Sequence, residues 1–185
     1  MSELQAPKPA KLVIGQFSGD IQIFEKLVPE FISLYGHIDL VSPWMAFNYT
    51  RYYEKEMGSP LYRRLCSFQL LIDQLDLADI KMKTHQIEQS FSQSGQRRVN
   101  IDPGYILRER LVLASGKNFS HRICIGNGIY ADLTLIYHKG NFQQLPWTYP
   151  DYADAEMLAF LEQVRNKYIW DIKNYDKKHD SLCKC

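Results

Sequence analysis

The residues best equipped for chemistry fall in three short segments and one aromatic loop. In Arg97-Arg98-Val99-Asn100-Ile101-Asp102-Pro103-Gly104-Tyr105, strand alternation sends Val99 and Ile101 one way and Arg98, Asn100 and Asp102 the other. An amide and a carboxylate two residues apart can hold a water, a metal or a ribose, with Arg98 neutralising charge beside them. Lys117-Asn118-Phe119-Ser120-His121-Arg122 places three cationic side chains in six residues, a grip for phosphate or carboxylate in which Arg122 supplies the bidentate fork. The 140–152 segment carries Trp147, Tyr149 and Tyr152 between prolines. Together with Tyr52 and Tyr53 of the polar-aromatic 48–60 stretch, it offers rings on which a base or a partner's side chain could stack. For acid–base work the candidates are Asp102 and His121. Ser120 and His121 are neighbours on a strand and point to opposite faces, which excludes a nucleophile–base pair.

Each feature has a plainer structural reading. Asp102 before Pro103 also fits a helix N-cap followed by proline at the first helical position. Arg122 has a cross-strand partner in Asp132, and His121 on an apolar face fits a satisfied core histidine. The aromatic loop equally serves as a lid on the core.

Composition and missing motifs narrow the field. Net charge is +1, against a nucleic-acid or membrane coat, but residues 97–139 carry 7 Lys and Arg against 3 Asp and Glu. G-x-x-x-x-G-K-[ST], G-x-G-x-x-G, H-E-x-x-H, G-x-S-x-G and paired C-x-x-C are all absent, which disfavours P-loop nucleotidases, dinucleotide enzymes, zincins and standard hydrolases. Cys66 and Cys124 sit in apolar runs and read as buried; Cys183 and Cys185 end the chain after His179, a weak pattern for a metal site. With no signal sequence and no apolar run near the ~18 residues of a membrane span, a cytoplasmic protein with reduced thiols is expected.

Positioning these groups requires a fold. Lys11–Phe17 reads as a strand and the Phe24-Leu27-Val28-Phe31-Leu34 stripe as a helix capped by Asp20, which Pro29 must kink or split. Ile38–Phe47, broken at Pro43, and Arg64–Ile72 read as strands, and Leu77-Ile80-Thr84-Ile87-Phe91 as a second helix. Arg97–Asp102 reads as a fourth strand, turning at Pro103-Gly104. That order predicts an α+β domain with a ferredoxin-like βαββαβ core. A hairpin over 119–137 follows, turning at Gly126-Asn127-Gly128 with Gly128 in a G1 bulge. Pairing Ile125 with Ile129 sets Arg122 opposite Asp132, with Phe119, Ile123, Ile125, Ile129, Ala131, Leu133 and Leu135 on the apolar face. A helix over about 154–173 ends the fold; 1–10 and 174–185 read as flexible tails of one domain spanning 1–185.

Several phrases resemble a known family: KLVIGQFSGD at 11–20, YYEKEMG at 52–58, RRVNIDPGY at 97–105, LVLA at 111–114, SHRI at 120–123, GIYA at 128–131 and LPWTYPDY at 145–152. They are similar to an uncharacterised bacterial domain-of-unknown-function family, DUF4416, over roughly 9–173. The resemblance implies membership and a bacterial origin but no activity; a GTP-binding label attached to the family meets no P-loop here.

The residues themselves lead to a site for an anionic nucleotide- or RNA-like ligand. It is built from Arg98, Asn100, Asp102, Lys117, Arg122, Tyr52, Tyr53, Trp147 and Tyr149, with no cofactor or metal assigned and catalysis left open. The competing expectation is a non-catalytic module whose aromatic loops dock another protein or a second copy.

Overall fold

The computed structural model describes residues 3–182, with side chains through Tyr175. The first strand, β1 (Ala10–Ser18), is buried at all nine positions, as a continuous apolar run should be when both sheet faces are covered. Helix α1 (Gln22–Tyr35) follows, its first turn held by Asp20, which accepts from the Gln22 N–H at 3.0 Å. Pro29 lies within α1 without breaking it. Then come β2 (Ile38–Val41), β3 (Met45–Ala46), a one-turn helix α2 (Glu54–Met57), β4 (Tyr62–Ile72), α3 (Leu77–Ser90) and β5 (Asn100–Ile106). The second half holds β6 (Arg110–Ser115), β7 (Arg122–Gly126), β8 (Ile129–His138), β9 (Asn141–Gln144) and α4 (Ala155–Leu182).

The nine strands make one antiparallel sheet ordered β2-β4-β1-β5-β6-β8-β7, with β3 beside β4 and β9 beside β8. Both sheet faces carry helices. Leu27 and Phe31 of α1 and Ile80 and Ile87 of α3 pack on Leu12, Ile14, Phe68 and Ile101. From the opposite face, Met157, Leu161 and Val164 of α4 pack on Val13, Leu65, Ile106, Leu111 and Leu135. The architecture is therefore mixed α+β, with a large antiparallel sheet and a C-terminal helix. That helix continues past Lys173, where its apolar stripe ends; Cys183 and Cys185 lie outside the described residues.

Several local expectations are corrected. Pro103 and Gly104 form no turn, and Asp102 is no helix cap, because β5 runs straight through them. Proline is tolerated there because β1 pairs with one edge of β5, while the missing N–H points to the other edge. Pairing with β6 accordingly stops at Gly104. At Gly104 the strands approach so closely that a β-carbon would overlap the Val112 carbonyl oxygen. The hairpin keeps the expected register at Arg122↔Asp132, Ile123↔Ala131 and Cys124↔Tyr130, then slips, so that Gly126 rather than Ile125 faces Ile129. Its turn is the two-residue Asn127-Gly128, both at positive φ (52° and 70°), the type I′ geometry that matches strand twist. Burial of the hairpin follows the expected face only in part: Ile129 and Leu135 of β8 are buried as the alternation predicts, but β7 and the opposite face depart from it. Ile123 is 72% exposed on the outermost strand, and Asp132 and Thr134 are buried. Cys124, read as buried, is exposed; Cys66 is buried.

Candidate functional site

Arg63 occupies the centre of the site. Alternation along β4 puts it on the α4 face with Leu65, and only 4% of it is exposed. A buried guanidinium persists only where partners replace its hydration. Here Asp151 forms an ion pair with it and Asp102 Oδ2 lies 3.6 Å from it. The rings of Phe47, Tyr152 and Phe17 surround it, with centroids 4.7, 5.0 and 5.2 Å from its central carbon. Burial pushes the Tyr152 hydroxyl up to about 12, so it stays neutral; a β-carbon on Gly15 would lie 3.1 Å from it. Above Arg63 and Asp151 a cleft of about 410 Å³ opens between residues 45–49 and the first turn of α4. At its edge Tyr49 donates to Asp154 at 3.0 Å.

Asp102 reaches this centre from β5. Asn100 shares its face and donates to Asp102 at 2.8 Å; Arg97 holds Asn100 Oδ1 at 3.3 Å and forks onto Glu56 at 2.7 and 3.0 Å. The free edge left where β6 pairing ends would orphan the Ile101 backbone. Helix α3 prevents this: Lys81 donates to the Ile101 carbonyl at 2.6 Å and Glu88 accepts from its N–H at 2.5 Å. Lys81 also stands 3.7 Å from Asp102 Oδ1. Burial, then the charge of Asp102, raises the Tyr53 hydroxyl.

The segment before β7 closes the other side. Arg122 donates to Asp132 (2.8 Å), to Ser115 Oγ (2.9 Å), to the Lys117 carbonyl (3.0 Å) and to the Tyr149 hydroxyl (2.9 Å). Burial alone would lower its proton affinity; the bonds to Asp132 and Tyr149 outweigh it and raise it. His121 sits in the turn before β7, not on the strand. It lies 3.2 Å from Asp132 Oδ2 and stacks on Trp147 with centroids 4.9 Å apart. Trp147 is pinned through its indole N–H to the Leu133 carbonyl at 2.8 Å. The Lys117 ammonium stands 5.5 Å from the Tyr52 ring centroid, and Tyr52 meets Tyr53 edge-on at 4.9 Å.

The fold thus gathers Asn100, Asp102, Tyr53, Tyr52, Lys117, Arg122 and Tyr149 into one continuous surface, with Trp147 behind His121. Arg98 is not among them. It lies before β5 and is taken up by Gln93 at 2.5 Å and Asp20 at 3.1 Å. Arg122 also differs from a ligand grip, since every one of its nitrogens bonds within the protein. Sequence reasoning missed Arg63, Asp151, Lys81 and Glu88. Arg63 shares strand parity with inward Leu65, and Lys81 and Glu88 stand seven apart beside the apolar stripe of α3; these were the available signals. Among the described residues no group of three or more His, Cys, Asp or Glu could hold a metal ion, and no helix is long and apolar enough to cross a membrane.

These features define a mixed α+β protein whose central sheet is clad by helices on both faces and carries a buried arginine–carboxylate centre under aromatic loops. The chain belongs to the family described as Domain of unknown function (DUF4416), whose model matches residues 8–168. No curated protein and no solved structure matches it.

Proposed function

We propose that this chain binds a small anionic ligand of the nucleotide class on the surface formed by Tyr52, Tyr53, Lys117, Tyr149, Asn100 and Asp102. The observation that carries this reading is Lys117. It is the cation of the cluster that has no carboxylate beside it among the described residues, and it sits against Tyr52, a ring 65% exposed and open to stacking. Phosphate would go to Lys117, a planar base to Tyr52 or Tyr149, and ribose hydroxyls to Asp102, which is 27% exposed at its side chain. Arg122 and Arg63 position these groups rather than touch the ligand. Catalysis is not required; Asp102 would be its acid–base group, since Asp132 and Trp147 occupy His121.

The strand order β2-β4-β1-β5 with α1 and α3 on one face supports reading the first half as a ferredoxin-like unit, extended by β6–β9 and backed by α4. A cytoplasmic setting accords with its free thiols at Cys66 and Cys124. The alternative, a self-associating module, draws on the outer strand β7, whose Ile123 is exposed together with nearby Phe119.

Calorimetric titration of the full chain with ATP, GTP, AMP and inorganic phosphate tests the reading. Saturable binding that weakens with salt, and weakens at least tenfold in Lys117→Ala and Tyr52→Ala, is expected. Unchanged affinity in Lys117→Ala would refute it. Silence across the panel with a dimer in light scattering would favour the interaction module instead.

A further inference from the structure

A second groove lies on the opposite face of the sheet, between the first turns of α1 and the β2–β3 connection, with a volume of about 210 Å³. Its walls are apolar: Phe24 and Val28 from α1, Val41 and Trp44 from the other side. Two polar side chains rise from its sheet side. Gln16 and Arg64 stand directly opposite each other across β1 and β4, which puts their β-carbons about 5 Å apart on one face.

Neither is satisfied in the way a structural group would be. Gln16 is 4% exposed, yet its carbonyl oxygen has no hydrogen-bond partner, so nothing within the protein replaces its hydration. Arg64 is oriented on both sides, its guanidinium 4.6 Å over the Trp44 ring and its Nε donating to the Ser42 carbonyl at 3.1 Å. No carboxylate of the described residues pairs with it, whereas Arg63, Arg97, Arg98 and Arg122 each have one. A fixed, uncompensated guanidinium beside an unpartnered acceptor is a receptor for a carboxylate with a donor next to it. Glu25 lines the groove as well and is exposed there, which favours a positive donor over a neutral one.

We propose that this groove binds a free hydrophobic α-amino acid. Its carboxylate pairs with Arg64, its ammonium donates to Gln16 Oε1 with Glu25 adding charge, and its side chain lies among Phe24, Val28, Val41 and Trp44. The volume, about that of seven waters, suits one such molecule. The site is separate from the Lys117 surface, so either assignment can fail without the other.

The test follows the Trp44 indole N–H by NMR while L-leucine or L-phenylalanine is added to the full chain. 3-Phenylpropionate, which lacks the ammonium, and 2-phenylethylamine, which lacks the carboxylate, serve as comparison probes. Saturable binding of at least one amino acid is expected, at least tenfold tighter than either single-charge probe and lost in Arg64→Gln. Gln16→Met, which keeps volume but removes the acceptor, should weaken binding by a similar factor. Thermal unfolding of both variants establishes that they fold, and Arg64→Lys keeps the charge without the planar fork should Arg64→Gln not fold. No response to either amino acid up to about 10 mM would overturn the proposal. So would equal affinity for 3-phenylpropionate and L-phenylalanine, or undiminished binding in a folded Arg64→Gln.

Discussion

Arg63 neutralises two carboxylates at once, and its removal would leave Asp151, whose side chain is 8% exposed, without a counter-charge. Breaking a buried pair from one side is far costlier than the pair's own net worth, because an uncompensated charge stays behind. Arg63→Met should therefore destabilise the protein by about 3–5 kcal/mol, read as a lower urea midpoint at unchanged slope. A loss under about 1 kcal/mol would mean that Asp151 is solvated in its native position. Asp132 plays a similar part for Arg122 and His121, accepting from Arg122 Nε and lying within hydrogen-bonding distance of the imidazole.

Among the elements, β5 shapes the site most. Its pairing with β6 ends at Gly104, and the free edge beyond is where Asp102, Lys81 and Glu88 meet. Two adjacent substitutions separate the causes. Gly104→Ala forces a methyl into the Val112 carbonyl and should cost about 1–3 kcal/mol, since both strands are packed and cannot retreat. Pro103→Ala restores a donor that faces the open edge and should cost no more than about 1 kcal/mol, chiefly through the unfolded chain. Chemical denaturation of the two variants checks the pair of values; equal losses would place the constraint elsewhere in β5.

Across the whole molecule, α4 is tied to the sheet by a buried ionic cluster as well as by apolar contacts. Lys11, fully buried on β1, pairs with Asp39 and, at 2.6 Å, with Asp171 of α4; Lys167 pairs with Asp171 as well. Burial pushes the Asp39 carboxyl up, but the Lys11 bond, the Ser67 hydroxyl at 2.6 Å and the nearby lysine charges outweigh it, so the net shift is downward. A carboxyl lowered in the folded state contributes stability above its unfolded value near 3.9 and loses it as pH falls through the lower folded value. Stability should thus hold from neutral pH to about 5 and fall below about 4. Asp39→Asn should lower stability by about 2 kcal/mol at pH 7 and flatten the acid limb of a urea-midpoint profile. An acid limb identical to wild type would remove Asp39 from the account.

The chain's local periods were legible over much of its length, because alternation and 3.6-residue stripes are written in consecutive residues. They placed both early helices, the central strands and the Arg122–Asp132 pairing, whose 2.8 Å bond follows from register alone. They also marked the segments that meet around Asp102, since strand parity already put Asn100 and Asp102 side by side. Strands β6 and β9 were not assigned, and the apolar face expected of the hairpin is exposed at Ile123 of β7 although Ile129 and Leu135 of β8 are buried on it. Ile123 and Ile125 have the pattern of a core face but lie on the outermost strand of the sheet; α3 and α4 spend their apolar stripes farther in. Arg98 had the right parity with Asn100 but stands before the strand begins, where Asp20 takes it. Arg63 gave only its parity as a clue, because its partners come 39 and 88 residues later in the chain. Sequence by itself determined the early helices and strands, the Arg122–Asp132 pairing and the candidate segments. Tertiary structure alone decided which faces the helices cover and which charges neutralise one another, since both depend on contacts between residues far apart in the chain.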